Sequence, residues 1–444
     1  MNDQIIVGLD IGSTKVCAVV GRMDNDGLLE ILGMGKSVSE GVKKGVIENI
    51  DQTVIAIKEA ISEAEKQSQI DIKVVNTGVS GNHIQTQREF GVITRNLNDN
   101  EISIEDINRL SKDMYRLVTP PGSEIIHVIP QEYTIDYQAH IKEPVGRIGV
   151  KLGADFNIIT AQSNAINNIK KCMSKSNLHD DNMVLVSIAS SLSVLSREEK
   201  DAGVAVIDIG GDTTDIAIIH ENIIRYTASI PFGGNIITND IKKGCMIMPA
   251  QAELLKIKHG KAIASEANLM DVVVIPGLRD RSAKEISVKN LAHIIEARME
   301  EIIEMIYAKL SESGLDKALA GGLVLTGGGA NLSFIKELFE WVTGINTRIG
   351  NPNEYMGKNV TGIIKQPEFA TAVGLVLAGF RALDERENRY LQMKNQTPSH
   401  NNIRTKTEPV DPRKSDSFKP GFLGNLFGKA KNLLMDDFDN QGEY

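Results

Sequence analysis

Two short phrases of the sequence combine aspartate, glycine and hydroxyl side chains in a pattern that can bind a phosphate and its metal ion. "DIGSTK" occupies residues 10–15 and "DIGGDTTD" occupies residues 208–215, and each phrase follows an apolar run. Glycine lets the backbone approach a phosphate closely, and successive backbone N–H groups in a turn form an anion-binding concavity. An aspartate on the strand before such a turn is placed to hold Mg²⁺ through water, because Mg²⁺ dehydrates reluctantly.

Together the two phrases predict a phosphate clamp with two halves, because two facing turns can surround a triphosphate and a single turn cannot. The first half consists of Asp10, Ser13, Thr14 and Lys15. The second half consists of Asp208, Gly210, Gly211, Thr213, Thr214 and Asp215. Asp10 and Asp208 are the candidate Mg²⁺ ligands, through water. A third glycine turn, "GGGA" at 327–330, strengthens this prediction, and the P-loop motif does not occur in the sequence.

The segments around these phrases indicate an α/β fold. Short apolar runs rich in β-branched residues flank the first phrase, at 5–10 and 16–21, and similar runs flank the second, which is a hairpin signal. Residues 53–67 and 291–310 carry apolar side chains at helical spacing. Each half of the chain therefore begins with strands and then alternates helices with strands, as α/β domains do.

Charge, cysteine content and the length of the apolar runs argue against a nucleic-acid-binding, a disulfide-bonded or a membrane-spanning protein. The 444 residues include 58 acidic and 49 basic side chains, a net charge of −9, which argues against a nucleic-acid partner. The three cysteines are far apart and odd in number, which favours reduced thiols in a cytoplasm. No apolar run reaches the roughly 20 residues that a membrane-spanning helix needs.

The end of the chain has a different composition from the rest. From about residue 384 the sequence loses most large apolar residues and gains Pro, Ser, Asn and charge, which predicts a disordered linker. Residues 421–438 return to an apolar pattern on one side of a helix, and an amphipathic helix without its own core can bind a lipid surface. The membrane-facing candidates are Phe422, Leu423, Leu426, Phe427, Leu433, Leu434 and Phe438.

The three glycine turns resemble those of the superfamily of actin, Hsp70 and the sugar kinases, in which two related lobes close on ATP. Within that superfamily the chain is similar to the FtsA family of bacterial cell-division proteins, over roughly residues 5–380. The segments that carry the resemblance are "HVIPQEYTIDYQ" (127–138), "VLSREEKDAGVAVIDIGGDTTDIAI" (194–218), "IPFGGNIITNDI" (230–241), "AELLKIKHG" (252–260), "VLTGGGANL" (324–332) and "ATAVGLV" (370–376).

The resemblance implies an actin-like two-lobed ATPase fold in which one small subdomain is relocated. The implied organisation is a first lobe, 1A, at 1–83 and 161–200; an inserted subdomain, 1C, at 84–160; a second lobe, 2A, at 201–243 and 318–383; a small subdomain, 2B, at 244–317; a disordered linker at 384–420; and an amphipathic membrane-targeting tail at 421–444.

The resemblance also implies ligands and partners. It adds Gly12 to the first phosphate phrase, Glu253 and Lys256 as ribose and adenine contacts, and an adenosine-side turn made of Gly327, Gly328, Gly329 and Ala330. It implies ATP with Mg²⁺ as cofactors, actin-like filaments of the chain itself, peripheral attachment to the inner face of the cytoplasmic membrane at the division site, and binding of the tubulin-like division protein FtsZ and of later division proteins.

Three points stay open at the level of the sequence. Asp215 is the one candidate for positioning a water for hydrolysis, so at most slow ATPase activity is expected. Asp212 stands where related phrases more often carry glycine, and an acid beside phosphates repels them unless it points away or meets Mg²⁺. The alternative functions are a pilus-assembly type of ATP-binding adaptor and a small-molecule kinase of the same superfamily.

Overall fold

A computed structural model describes residues 4–95, 101–277, 279, 282–357 and 362–396, with side chains as far as Glu387. The chain divides into a compact unit, Met1–Tyr390, and a second unit, Leu391–Tyr444. Most of the linker predicted at 384–420, and all of the tail predicted at 421–444 with its seven apolar membrane candidates, lie outside the described residues. The architecture below is that of the first unit.

The first stretch of the chain builds most of one sheet. Its elements are β1 (Ile5–Ile11), β2 (Lys15–Met23), β3 (Leu29–Val38), the short strands β4 (Val42–Lys43) and β5 (Val46–Ile47), helix α1 (Ile50–Ser68) and β6 (Val74–Val79). Strands β1 to β3 form an antiparallel meander, and β6 pairs with β1 in parallel. Asn49 caps α1 by accepting a hydrogen bond from the backbone N of Gln52. The helix predicted at 53–67 is thus confirmed with slightly wider bounds.

An inserted subdomain with its own core follows β6. It contains β7 (Gln85–Thr94), helix α2 (Ile104–Met114), β8 (Ser123–Ile135), β9 (Gln138–Ile141) and β10 (Lys151–Gln162). The strands form an antiparallel sheet in the order β7-β10-β8-β9. Phe156 is fully buried in the core of this subdomain. Arg95, also buried, pairs with Asp106 of the α2 capping box at 2.8 Å.

The chain then returns to the first sheet through α3 (Ser163–Lys175), β11 (His179–Leu185), α4 (Val186–Val194) and α5 (Arg197–Ala202). Strand β11 pairs with β6 in parallel and completes the order β11-β6-β1-β2-β3. We call this sheet, with the β4–β5 hairpin and the helices packed on it, the first lobe.

The second half of the chain repeats the arrangement of the first sheet. Its elements are β12 (Val204–Ile209), β13 (Thr214–His220), β14 (Ile223–Ile230), α6 (Gly234–Cys245), α7 (Pro249–His259), β15 (Val272–Ile275), β16 (Lys284–Ser287), α8 (Val288–Glu312), β17 (Leu323–Thr326), α9 (Ile335–Thr343), β18 (Thr347–Ile349) and α10 (Ala370–Gln396). The sheet order is β14-β13-β12-β17-β18, again an antiparallel meander continued by two parallel strands. We call this sheet, with α6 to α9, the second lobe.

Helix α10 packs closely on the first sheet. A side chain at Gly8 of β1 would place its Cβ 2.4 Å from the Ala372 carbonyl oxygen, so glycine is required there for the helix to approach. Val373 and Val376 of α10 are buried in the core of the first lobe. Because all five strands of the second sheet precede α10 in the chain, this helix returns to the first lobe after the second sheet is complete.

The structure corrects one boundary of the sequence-based organisation. Helix α10 continues to Gln396, past position 384 where the composition predicts the start of a disordered linker. The physical reason is that residues 381–394 still include Arg, Ala, Leu, Glu, Gln and Met, which have high helix propensity even where they lack an apolar stripe.

Two expectations from composition can be compared with the described residues. Within those residues no helix is both long and apolar enough to cross a membrane. Cys17, Cys172 and Cys245 are free thiols, and all three are buried.

Candidate functional site

The two phosphate phrases form hairpin turns with the same internal geometry. In the first turn the backbone N of Gly12 donates to the carbonyl oxygen of Lys15, at 2.9 Å. In the second turn the backbone N of Gly210 donates to the carbonyl oxygen of Thr213, also at 2.9 Å. Each turn connects the first two strands of its sheet, β1 to β2 or β12 to β13. The two phrases are therefore similar in backbone structure as well as in sequence.

The two turns approach each other across a cleft. A Cβ at Gly211 would lie 2.5 Å from Cγ2 of Thr14, so the absence of a side chain at Gly211 lets the second turn come close to the first. A cavity of about 400 Å³ opens between them. The candidate residues that line it are Asp10, Gly12, Ser13, Thr14, Lys15, Asp208, Gly210, Gly211, Thr213, Asp215, Glu253, Lys256, Gly327, Gly328 and Gly329.

The third glycine turn closes the second-lobe side of the cavity. Gly327 has a φ of 80°, and a Cβ there would lie 2.3 Å from Oδ1 of Asp208. This turn follows β17, which pairs in parallel with β12. The carboxyl ends of the two neighbouring parallel strands therefore bring Asp208 and the glycines of the third turn to one edge of the sheet, where ligands bind in open α/β sheets.

Two candidates do not line the cavity. Thr214 is fully buried, and its hydroxyl donates to the carbonyl oxygen of Phe232 at 2.8 Å. Ala330 is also buried, and it packs in the core of the second lobe. In these positions Thr214 and Ala330 can stabilise the turns, but they do not contact a ligand in the cavity.

Asp208 is a buried carboxyl group in the wall of the cleft, and Asp10, also in the wall, is largely buried. Burial raises the pKa of Asp10 to about 6, against the opposing effect of Lys15, and Asp208 raises it further. Lys15 Nζ lies 3.8 Å from Oδ2 of Asp10. Burial also raises the pKa of Asp208, against hydrogen bonds from the hydroxyls of Ser190 and Thr371 to Oδ2.

These two carboxyl groups fit a divalent cation held through water. Burial disfavours the charged form of both groups, and Asp208 disfavours it further at Asp10, so a nearby cation would favour the charged form of both. Within the described part of the chain no group of three His, Cys, Asp or Glu side chains is arranged to bind a metal directly. A site with two carboxylates that leaves other positions to water and phosphate is the kind that Mg²⁺ prefers.

Asp215 occupies the strand position opposite Asp208, on the neighbouring strand β13. Its Oδ2 accepts hydrogen bonds from the hydroxyls of Ser80, at 2.7 Å, and Thr213, at 3.1 Å. Burial raises the pKa of Asp215 to about 6, opposed by the Ser80 hydrogen bond, and Asp208 adds to the rise. Asp215 thus lies in the cavity with its orientation fixed from both lobes, because Ser80 follows β6 of the first sheet.

Glu253 and Lys256 lie on the same face of α7, as their spacing predicts. Lys256 Nζ lies 2.8 Å from Oε2 of Glu253 and donates to the carbonyl oxygen of Gly234, at 2.9 Å, and to the hydroxyl of Thr238, at 2.8 Å. This pair lies beside an apolar part of the cavity wall formed by Ile237, Ile257, Met299 and Leu332. A polar pair next to an apolar slot suits a ribose and a flat base.

Other cavity residues carry no motif in the sequence. Lys36 reaches the cavity from β3 and pairs with Glu368 at 3.0 Å. Ser80 and Thr371 come from β6's end and from α10. Of these residues, Ser80 alone could have been predicted from the sequence. It directly follows a strand that pairs in parallel with β1, and the carboxyl ends of neighbouring parallel strands lie at the same edge of a sheet. Thr371 lies 163 positions from the carboxylate it contacts.

Asp212 does not face the cavity. Its Oδ1 accepts a hydrogen bond from Nδ2 of Asn235, at 2.8 Å, and its Oδ2 accepts one from the backbone N of Lys44, at 3.1 Å. Both carboxylate oxygens therefore have protein donors. The carboxylate of Asp212 thus bonds to protein donors and does not line the cavity.

The paired sheets and the central cleft define an actin-like, two-lobed class of protein. The chain superimposes on a PilM–PilN type IV pilus biogenesis complex with a TM-score of 0.58 at 17% identity, covering 84% of this chain and 98% of that one. It superimposes on MreB 5 of Spiroplasma citri bound to AMPPNP with a TM-score of 0.51 at 14% identity, covering 89% and 100%. At these identities the likeness shows the fold alone.

Sequence comparison narrows the class to one family. A family model described as Cell division protein FtsA matches residues 205–374, and one described as SHS2 domain inserted in FTSA matches residues 81–160. The FtsA of Pseudomonas aeruginosa is 38% identical over 85% of this chain and 90% of its own length. That of Neisseria meningitidis is 39% identical over 83% and 89%. The chain belongs to the FtsA family of cell division proteins, as the sequence motifs predict.

Proposed function

We propose that this chain binds ATP with Mg²⁺ in the interlobe cleft, polymerises on the inner face of the cytoplasmic membrane at the division site, and tethers FtsZ to it. The single observation that carries the proposal is the pair of matched hairpin turns that face one cavity, each preceded by an aspartate that lines it. Membership of the FtsA family supports the cell-division role.

Each part of the cavity has a role in this proposal. The backbone N–H groups and hydroxyls of the two turns bind the phosphates, and Lys15 adds a positive charge beside them. Asp10 and Asp208 hold the hydrated Mg²⁺, which neutralises phosphate charge when it is bound. Glu253 and Lys256 bind the ribose side, while the apolar wall receives the adenine. The MreB neighbour, whose structure contains AMPPNP, supports a nucleotide as the ligand.

Hydrolysis of the bound ATP is proposed to be slow. Asp215 is the candidate for orienting the attacking water, and Ser80 and Thr213 occupy one of its oxygens, Oδ2, with hydrogen bonds. A carboxyl group with a pKa raised to about 6 is ionised at neutral pH and is a stronger base than an ordinary aspartate, which suits the orientation of a water. Because the motifs offer Asp215 as the one candidate for this role, we propose nucleotide binding with at most slow turnover.

Titration of the full chain with a fluorescent ATP analogue, with Mg²⁺ and with EDTA, tests the nucleotide site. Asp208→Asn is expected to lower the affinity for the Mg²⁺ complex by at least about tenfold and to change the affinity in EDTA little, because it removes a charge that faces the cation. The matched control is Asp71→Asn, an exposed acid before β6, at the end of that strand away from the cavity. Equal affinities of the two variants for the Mg²⁺ complex would contradict the proposed cation site.

Binding of a synthetic peptide with the sequence of the FtsZ C-terminal tail tests the partner. We expect saturable binding to the full chain and none to a protein of the same fold from the pilus system. Absence of binding to this chain in both the ATP-bound and the nucleotide-free form would leave the membrane anchor without its proposed partner and would contradict the tethering role.

A further inference from the structure

The contacts of Asp212 join the two lobes directly at the edge of the cleft. Asp212 belongs to the second phosphate turn, between β12 and β13, and Asn235 belongs to α6, so that contact lies within the second lobe. Lys44 belongs to the β4–β5 hairpin of the first lobe. One carboxylate therefore binds a donor from its own lobe and a donor from the opposite lobe.

The hairpin that supplies the Lys44 donor is held in place. Lys44 has a φ of 48° and Gly45 a φ of 76°, so both adopt the left-handed conformation of a tight hairpin turn. A Cβ at Gly45 would lie 2.9 Å from the backbone of Ser80 and Gly81, which shows that the tip of the hairpin rests on that segment. The Lys44 N–H is thereby aimed at the second lobe by the backbone and does not depend on a flexible side chain.

The receiving end of the contact is equally well fixed. The backbone N of Gly234 donates to the carbonyl oxygen of Gly210, at 2.9 Å, and that of Asn235 donates to the carbonyl oxygen of Gly211, at 2.8 Å. These bonds attach the start of α6 to the second phosphate turn. The amide of Asn235 then orients the Asp212 carboxylate toward the hairpin.

We propose that Asp212 is a latch between the lobes that closes the cleft over bound nucleotide and slows its release. The proposal rests on ATP binding in the cleft, as proposed above. Because the two lobes must separate for a ligand held between the facing turns to leave, an interlobe hydrogen bond to a charged acceptor opposes that separation. The contact between Ser80 and Asp215 lies on the same side of the turn and adds to the effect.

If Asp212 acts as a latch, its removal speeds nucleotide release, whereas if Asp212 only repels the phosphates, its removal slows release. Asp212→Ala removes both acceptors, so the latch predicts release of a fluorescent ATP analogue faster by on the order of tenfold. Asp212→Asn keeps an oxygen for Lys44, and its amide can donate to Asn235 after that side chain rotates, so release stays within about twofold of the unsubstituted protein. If the acid only repelled the phosphates, both substitutions would slow release.

Stopped-flow measurement of release from the full chain, for Asp212→Ala, Asp212→Asn and Glu40→Ala, is the first test. Glu40 is an exposed acid just before the hairpin, so its removal controls for charge alone and is expected to leave the rate unchanged. Unchanged release in Asp212→Ala, or slower release in both Asp212 variants, would overturn the latch.

Hydrogen–deuterium exchange of the peptide that covers the hairpin, residues 42–47, is the second test. The Lys44 amide hydrogen is the one donated to Asp212, so Asp212→Ala is expected to speed its exchange severalfold even without nucleotide, while Glu40→Ala does not. The same exchange rate in all proteins would overturn the latch. If the unsubstituted chain bound no ATP analogue, the proposed function would fail, and the exchange result alone would decide whether the interlobe contact exists.

Discussion

At the scale of single residues, the site is made of carboxyl groups that the fold keeps in an unfavourable environment. Asp10 and Asp215 both have a pKa raised to about 6, chiefly by burial. A group whose pKa is higher in the folded than in the unfolded chain favours folding at low pH and loses that contribution as the pH rises through the folded pKa. These carboxylates thus make the folded protein less stable at neutral pH than neutral isosteres would, and a bound cation would offset this cost.

Substitution of Asp10 tests this electrostatic cost. Asp10→Asn is expected to raise the free energy of unfolding of the nucleotide-free protein by roughly 1 to 3 kcal/mol at about pH 8, because it removes a buried charge. The gain should shrink as the pH falls from about 6, the folded pKa, to about 4, near the unfolded pKa. The measurement is urea-induced unfolding followed by circular dichroism at several pH values.

The control for this prediction is Asp71→Asn, which removes an exposed carboxyl group that is paired with Lys73 at 2.7 Å. It should lower stability slightly or leave it unchanged, since exposed ion pairs contribute little. A loss of stability in Asp10→Asn above pH 6 would show that the attraction of Lys15 outweighs the cost of burial, contrary to the direction of the pKa shift.

At the scale of elements, the hairpin turns determine how near the two halves of the clamp can come. Gly211 lies against Thr14, and no side chain larger than hydrogen fits between them. The inserted subdomain contacts the second sheet at the end away from the phosphate turn. Its Gln131 and Asn157 donate to the carbonyl oxygens of Ile224, at 3.0 Å, and Arg225, at 2.9 Å, and so cover the edge strand β14.

Gly211→Ala tests the spacing of the turns. The new Cβ is expected to push the turns apart and to weaken binding of the Mg²⁺–ATP complex by about tenfold or more, because phosphate contacts from the two turns can no longer be made together. Isothermal titration calorimetry measures the affinity. The matched control is Gly357→Ala, where a Cβ would meet no atom nearer than 3.6 Å. Equal affinity of the two variants would argue that the turns do not act as a pair.

At the scale of the whole molecule, the cleft and the C-terminal tail serve one proposed function. A single amphipathic helix of about seven large apolar residues binds a surface weakly, because each is only partly buried and the segment must become ordered. Gly421, Gly424 and Gly428 would weaken further the helix that the sequence predicts at 421–438. A filament presents many such tails at once, so weak individual contacts add up to firm attachment.

Truncation tests the tail. We expect vesicles that contain phosphatidylglycerol to sediment the full chain and not a chain that ends at residue 420. Leu426→Asp should abolish sedimentation of the full chain, because it places a charge on the apolar side of the predicted helix. Asn425→Asp, on the polar side, is the matched control and should reduce it only slightly. Equal sedimentation of the full and truncated chains would contradict the anchor.

The α/β class, the two phosphate turns and the family follow from patterns that are local in the chain. Runs of β-branched residues on both sides of a glycine turn indicate a hairpin, so the sequence alone predicts that Asp10 and Asp208 stand just before such turns. Glu253 and Lys256 could be placed on one helix face for the same reason. The end of helix α10 is the local feature that the sequence predicts least well. Its last turns contain residues of high helix propensity but lack the apolar periodicity that indicates a helix.

How these parts meet depends on contacts between residues that are far apart in the chain. The partners of Asp208 lie 18 and 163 positions away in the chain, and those of Asp215 include a serine 135 positions away. Such contacts depend on which strands pair and which helix crosses which sheet, and no spacing along the chain encodes them. For the same reason the direction of Asp212 could not be read from "DIGGDTTD": the hydrogen-bond donor that turns its carboxylate from the cavity comes from the opposite lobe.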